Sequence, residues 1–119
     1  MSSSSYSPST YMDFFQSAVQ VGNTIDANLG SNFINTGTGS RTITINNLKD
    51  GMTVSIVCPG ATGNVITIVA YAGNGVTPLT VKYGAGQDGT MASAYSLFTV
   101  FRVGGTLNWA IVGPIHGIS

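Results

Sequence analysis

Apolar and polar residues alternate through Thr42-Ile43-Thr44-Ile45-Asn46, the period-two pattern of a strand with one buried face. Met52, Val54, Ile56 and Cys58 line one face of a second strand, with Thr53 and Ser55 opposite. Ile66, Ile68 and Ala70 follow the same rule around Thr67, and Leu79 to Tyr83 is a shorter copy. Leu97 to Val103 is apolar on both faces, which predicts a central strand or one at an interface. Leu107, Trp109 and Ile111 line one face of a last strand. Lys49-Asp50-Gly51, Pro59-Gly60, Thr62-Gly63-Asn64 and Gly73-Asn74-Gly75 separate these runs as turns. Gly104-Gly105 reads as a tight hairpin, with positive φ needed at both positions. Several short strands at this spacing, and no βαβ unit, predict an all-β fold: an antiparallel β-sandwich or jelly-roll-like domain over residues 22–119.

Residues 1–21 read differently, as an N-terminal arm. Met1-Ser-Ser-Ser-Ser-Tyr6 is low in complexity and has too few apolar groups to order itself. Over residues 11–21, Tyr11, Phe14, Phe15, Ala18 and Val19 fall on one helical face, Ser9 or Thr10 is placed to cap it, and Asp13 suits a first turn. Eleven residues make a marginal helix without tertiary support, so the arm is expected to be extended or short-helical. Tyr11, Phe14 and Phe15 are its candidate partner-docking residues, because large aromatic anchors dominate contact energetics.

Composition narrows the function. The chain has 119 residues, one domain's worth, and is 43% apolar, so it has enough hydrophobic side chains for a single core. Only 7% of residues are charged, against roughly 25% in an average soluble protein. There is no Glu, and the net charge is zero. So neutral a surface is either covered by hydroxyls, amides and backbone or buried against partners, as in fibrous and virion proteins. Four cations spread along the chain cannot build the basic face that nucleic acid needs. No stretch is long and apolar enough for a membrane helix, and the start lacks the basic and apolar regions of a signal peptide, so release by lysis is expected rather than secretion.

The run Thr24 to Phe33, followed by Arg41 to Ile56, resembles a β module of tailed-bacteriophage virion proteins, found at tail-fibre ends and in capsid-surface proteins. In that family a D-x-x-x-G-x-x-F segment, here Asp26 to Phe33, precedes a T-I-T-x-x-N-x-x-D-G strand and turn, here Thr42 to Gly51. A Gly-rich stretch, a P-x-L-T strand at Pro78-Leu79-Thr80, and an aromatic strand with a Gly-Gly hairpin from Leu97 to Gly113 complete it. The resemblance covers residues 22–113. Members usually carry tryptophans before P-x-L-T, where this chain has Val69-Ala70-Tyr71-Ala72. The resemblance implies a structural, often trimeric module; no enzymatic activity is expected of the chain.

Candidate chemistry is sparse. Gly84-Ala85-Gly86-Gln87-Asp88-Gly89 spells a dinucleotide fingerprint, but too few residues follow for the required helix and no acidic residue lies beyond Asp88. The single Cys58 rules out an internal disulfide and a cysteine-based zinc site, and His116 is the only histidine. Cys58, His116 and Asn108 could form a nucleophilic triad, but Cys58 shares the strand face of Val54 and Ile56 and reads as a packed thiol. Asp26, Asp50 and Asp88 each sit in or near a turn, which Asp favours for local hydrogen bonding, and none heads a calcium-binding loop. Tyr71, Tyr83, Tyr95 and Trp109 could stack on sugars, but rings on strands more often serve core or interface. No cofactor, metal or catalytic residue is expected.

These readings converge on a homotrimeric virion protein made in the host cytoplasm. The first expectation is a capsid decoration (cement) protein, reinforcing joints in the major capsid protein shell or on another virion protein by area burial and threefold avidity. The second is the tip of a tail or head fibre that binds a host surface receptor, glycan or protein. The short chain without a shaft repeat favours the first.

Overall fold

The computed structural model describes residues 18–59, 64–83, 91–92 and 97–113. Its elements are β1 (Val19–Val21), β2 (Thr24–Asp26), a 3-10 turn (Ala27–Leu29), β3 (Asn32–Asn35), β4 (Arg41–Asn46), β5 (Thr53–Val57), β6 (Val65–Ala70), β7 (Thr80–Tyr83), β8 (Met91–Ala92), β9 (Leu97–Arg102) and β10 (Trp109–Gly113). The protein is all-β, in two sheets: six strands in the order β1-β3-β5-β9-β10-β7, and four in the order β2-β4-β6-β8.

From β1 to β6 the chain changes sheet at every step, so it winds as a coil. Each strand then lies parallel to the one laid down a coil earlier: Val19 beside Phe33, Thr24 beside Thr44, Phe33 beside Ile56, Thr42 beside Thr67. β9 closes antiparallel on β5, β10 on β9 and β8 on β6, while β7 runs parallel to β10. The antiparallel pairing expected from the turn signals is therefore found only at the C-terminal side, and the six-stranded sheet is mixed. The cause is connectivity. A tight hairpin returns a chain within its own sheet, whereas a turn that crosses to the facing sheet brings it back in the original direction.

Inward positions of both sheets form one hydrophobic cluster. Ile25, Ile43, Ile45, Ile66 and Ile68 stack across the four-stranded sheet, meeting Phe33, Val54, Ile56, Phe98, Val100 and Val112 of the other. Ladders of β-branched side chains suit a pleated, buried surface, and each fully buried chain of this size contributes about 1.5–3 kcal/mol. β8 covers only Val65 and Ile66, which leaves the Ile68 amide beyond its end. The buried Tyr83 hydroxyl accepts that N–H at 2.9 Å, tying β7 to β6.

Two expectations change in detail. Val19–Val21, placed in the arm and with Val19 on a helical face, is a strand paired with β3. The β9–β10 hairpin forms, but only Gly105 of the glycine pair has positive φ, and the loop is wide enough that Leu107 precedes the last strand. The rest of the arm, with Tyr11, Phe14 and Phe15, lies outside the described residues, as do Asp88, Tyr95, His116 and the Gly84–Gly89 loop.

Candidate functional site

Several of the candidates named from the sequence have structural partners or lie in the core. Asp26 caps the 3-10 turn: its Oδ1 accepts from the Asn28 amide at 2.9 Å and from Asn47 Nδ2 at 3.0 Å. Those two hydrogen bonds, the backbone one first, hold its carboxyl below the usual range, with Lys49 assisting. Asp50 forms an ion pair with Arg102 at 3.0 Å, and Arg102 Nη1 also donates to Leu48 O at 2.7 Å. That pair pins the β4–β5 turn against the hairpin. Tyr83 is a core residue, and Cys58 is buried, as its strand face implied. Burial pushes the thiol up, with the Arg41 guanidinium opposing. Among the described residues no three His, Cys, Asp or Glu side chains gather as a metal site, and no helix is long and apolar enough to cross a membrane.

Native Cys58 should therefore label slowly with a thiol reagent, at the pace of unfolding. Cys58→Ser should cost about 1–3 kcal/mol by burying a hydroxyl. Complete labelling of the folded protein within seconds would contradict this.

The four cations are also engaged. Arg41 Nε donates to Asn35 at 2.8 Å, Lys49 to Asn28, Arg102 to Asp50, and Lys82 Nζ lies 5.4 Å from the centre of the Trp109 ring.

The two outer faces differ, and the difference marks the candidate site. On the four-stranded sheet, outward positions are mostly threonine and asparagine, at Thr24, Thr42, Thr44, Asn46 and Thr67, with Val65 and Val69 the apolar exceptions on β6. On the six-stranded sheet they fall into rows across the strands. One row is Ile34, Val57 and Leu97; another, four residues along, is Thr53, Phe101 and Ile111; between them run Asn32, Ser55 and Thr99. Trp109 and Val103 extend the second apolar side. Leu97 is 52% exposed, Phe101 40%, Val57 38% and Trp109 37%. Ridge to ridge, the spacing is roughly 13 Å, set by the rise of about 3.3 Å per residue. The result is a neutral groove, floored by small polar side chains and walled by large apolar ones, with Lys82 at its margin as the one charged outward side chain among the described strand residues of this sheet.

Of these, the two-faced strand from Leu97 and the Trp109 and Ile111 face of the last strand were visible beforehand. The ridge of Ile34 and Val57 was missed because β3 is too short to show alternation, and because Val57 sits opposite the face that drew attention to β5. Sequence reasoning could have found Val57 by continuing the Thr53, Ser55 series one step. No family model matches the chain, and no curated protein or solved structure does either.

Proposed function

We propose that this protein is a non-enzymatic structural protein of a bacteriophage virion, acting as a homotrimeric capsid decoration protein. The observation that carries this reading is the outer face of the six-stranded sheet: exposed Val57, Leu97, Phe101 and Trp109 with no carboxylate among them, on a chain almost free of charge. Such ridges are stabilised by burial against protein, and exposed apolar clusters on a small domain point to an interaction site. The threonine-rich face of the other sheet suits exposure to solvent on the finished particle. The two-sheet body is read as a sandwich-like block that stiffens a seam by area, with no chemistry required. The phage assignment rests on the sequence resemblance over residues 22–113. A fibre tip binding a host receptor is the second reading, favoured only by the exposed Trp109 ring.

The test is to add the full-length protein separately to capsids lacking it and to host cells, then measure what sediments. Saturable binding to capsids, with a fixed number of copies per particle and a raised disruption temperature, is expected. Binding to cells without binding to capsids would replace the decoration reading with the fibre-tip one.

A further inference from the structure

We infer that the groove on the six-stranded sheet is filled by the N-terminal arm of a neighbouring copy, with Tyr11, Phe14 and Phe15 as the anchors. The inference rests on the trimer reading and names its seam. Three observations lead to it. The groove's floor and first ridge are uncharged among the described residues, the second ridge ends at Lys82 beside Ile111, and residues 1–17 carry a single charged side chain, Asp13, so both surfaces are almost neutral. The register also places the arm at the groove's mouth. One step before the Val19–Phe33 pair, Ala18 comes beside Asn32, at the end of the floor row that continues through Ser55 and Thr99. The chain therefore leaves the sheet at the groove itself.

The third observation is reach, with the trimer reading supplying the next copy as the receiver. Crossing from the edge strand to β10 takes four strand spacings, about 19 Å, or roughly six extended residues. Residues 1–17 supply that length with a linker to spare. Around a threefold axis each copy gives one arm and receives one, which is how a heterologous contact closes into a ring.

The experiment places a cysteine at Asp13 or Gln16 (D13C, Q16C) in one copy and at Thr99 (T99C) in another, with the two copies differing in size by a tag. They are co-expressed and treated with a short bis-maleimide. The unaltered chain, whose one thiol is the buried Cys58, is the blank. The expected result is a covalent product between copies of different size, and a ladder ending at the trimer when both cysteines are in one chain. Cross-links confined to one chain, or none, would overturn the inference. Light scattering on the uncross-linked full-length protein reports separately on the trimer reading: a monomer at micromolar concentration removes that reading with the seam. In the full chain, Phe14→Ala with Phe15→Ala should weaken trimer formation at least tenfold. A double variant that stays trimeric but no longer binds capsids would give the arm to the capsid instead and overturn the inference.

Discussion

Replacing Asn35 by leucine should destabilise the fold by about 3–5 kcal/mol, a large share of the 5–15 kcal/mol available to a domain of this kind. Asn35 is 1% exposed, a polar residue buried among core positions. Its Nδ2 donates to Gly22 O at 2.7 Å and Asn23 Oδ1 at 3.0 Å. Its Oδ1 accepts from the Gly37 amide at 3.2 Å and Arg41 Nε at 2.8 Å. One side chain thus joins the turn after β1 to the turn before β4, holding successive coils in register. Leucine matches its size but removes all four bonds, two of them to the half-buried Gly37 and Arg41, and an unmet buried group costs about 1–3 kcal/mol. Gly37 belongs to the same device: a Cβ there would come within 2.6 Å of Asn23 Oδ1 and 2.7 Å of the Arg41 side chain. Urea denaturation measures the effect, with the midpoint falling and the slope unchanged if the native state keeps its compactness. Thr36→Ala, which removes an exposed bond to Val21 O, is the control and should cost at most about 1 kcal/mol. A loss below about 1 kcal/mol for Asn35→Leu would mean that the coils hold their register by the apolar stack alone.

Why the long strands were legible and the winding was not follows from particular residues. Arg41–Asn46, Thr53–Val57 and Val65–Ala70 each run five or six residues, long enough for alternation to declare an inward face, and the inward residues are those expected; Leu97–Arg102 is as long but apolar on both faces, so its sequence declares a strand without an inward face. Val19–Val21, Thr24–Asp26 and Asn32–Asn35 run three or four, too few for a period to emerge. Their pairing depends on residues a coil apart. Because the coils differ in length, with Val19 meeting Phe33 but Thr42 meeting Thr67, no internal repeat betrays them. The Asn35 network is a tertiary fact of the same kind: Asn23, Asn35 and Arg41 are ordinary turn and edge residues until winding brings them together. The groove was half legible, since β9 announces two apolar faces while its ridge partners on β3 and β5 depend on register.

Phe98 and Phe101, three residues apart on β9, should separate core from interface. Phe98 is 1% exposed and sits beside Ile56 in the shared cluster. Phe98→Ala should cost about 3–5 kcal/mol, through lost transfer energy and the cavity left where two sheets meet. That loss should appear at every protein concentration, because it lies within one chain. Phe101 is 40% exposed and pairs with Thr53 on one side and Ile111 on the other, on the outer face. Phe101→Ala trims a ring that an isolated chain leaves two-fifths exposed, so at nanomolar concentration, where copies are apart, it should cost clearly less than Phe98→Ala, about 1–2 kcal/mol. A protein stabilised by self-association gains stability as its concentration rises, by mass action. The parent chain should therefore show a midpoint that climbs with concentration, and Phe101→Ala should flatten that climb; Phe101→Asp should abolish it by placing an unpaired carboxylate in an uncharged seam. If Phe101→Ala instead lowers stability equally at all concentrations, the outer face is covered by its own chain, and the surface proposed for assembly is part of the monomer's core.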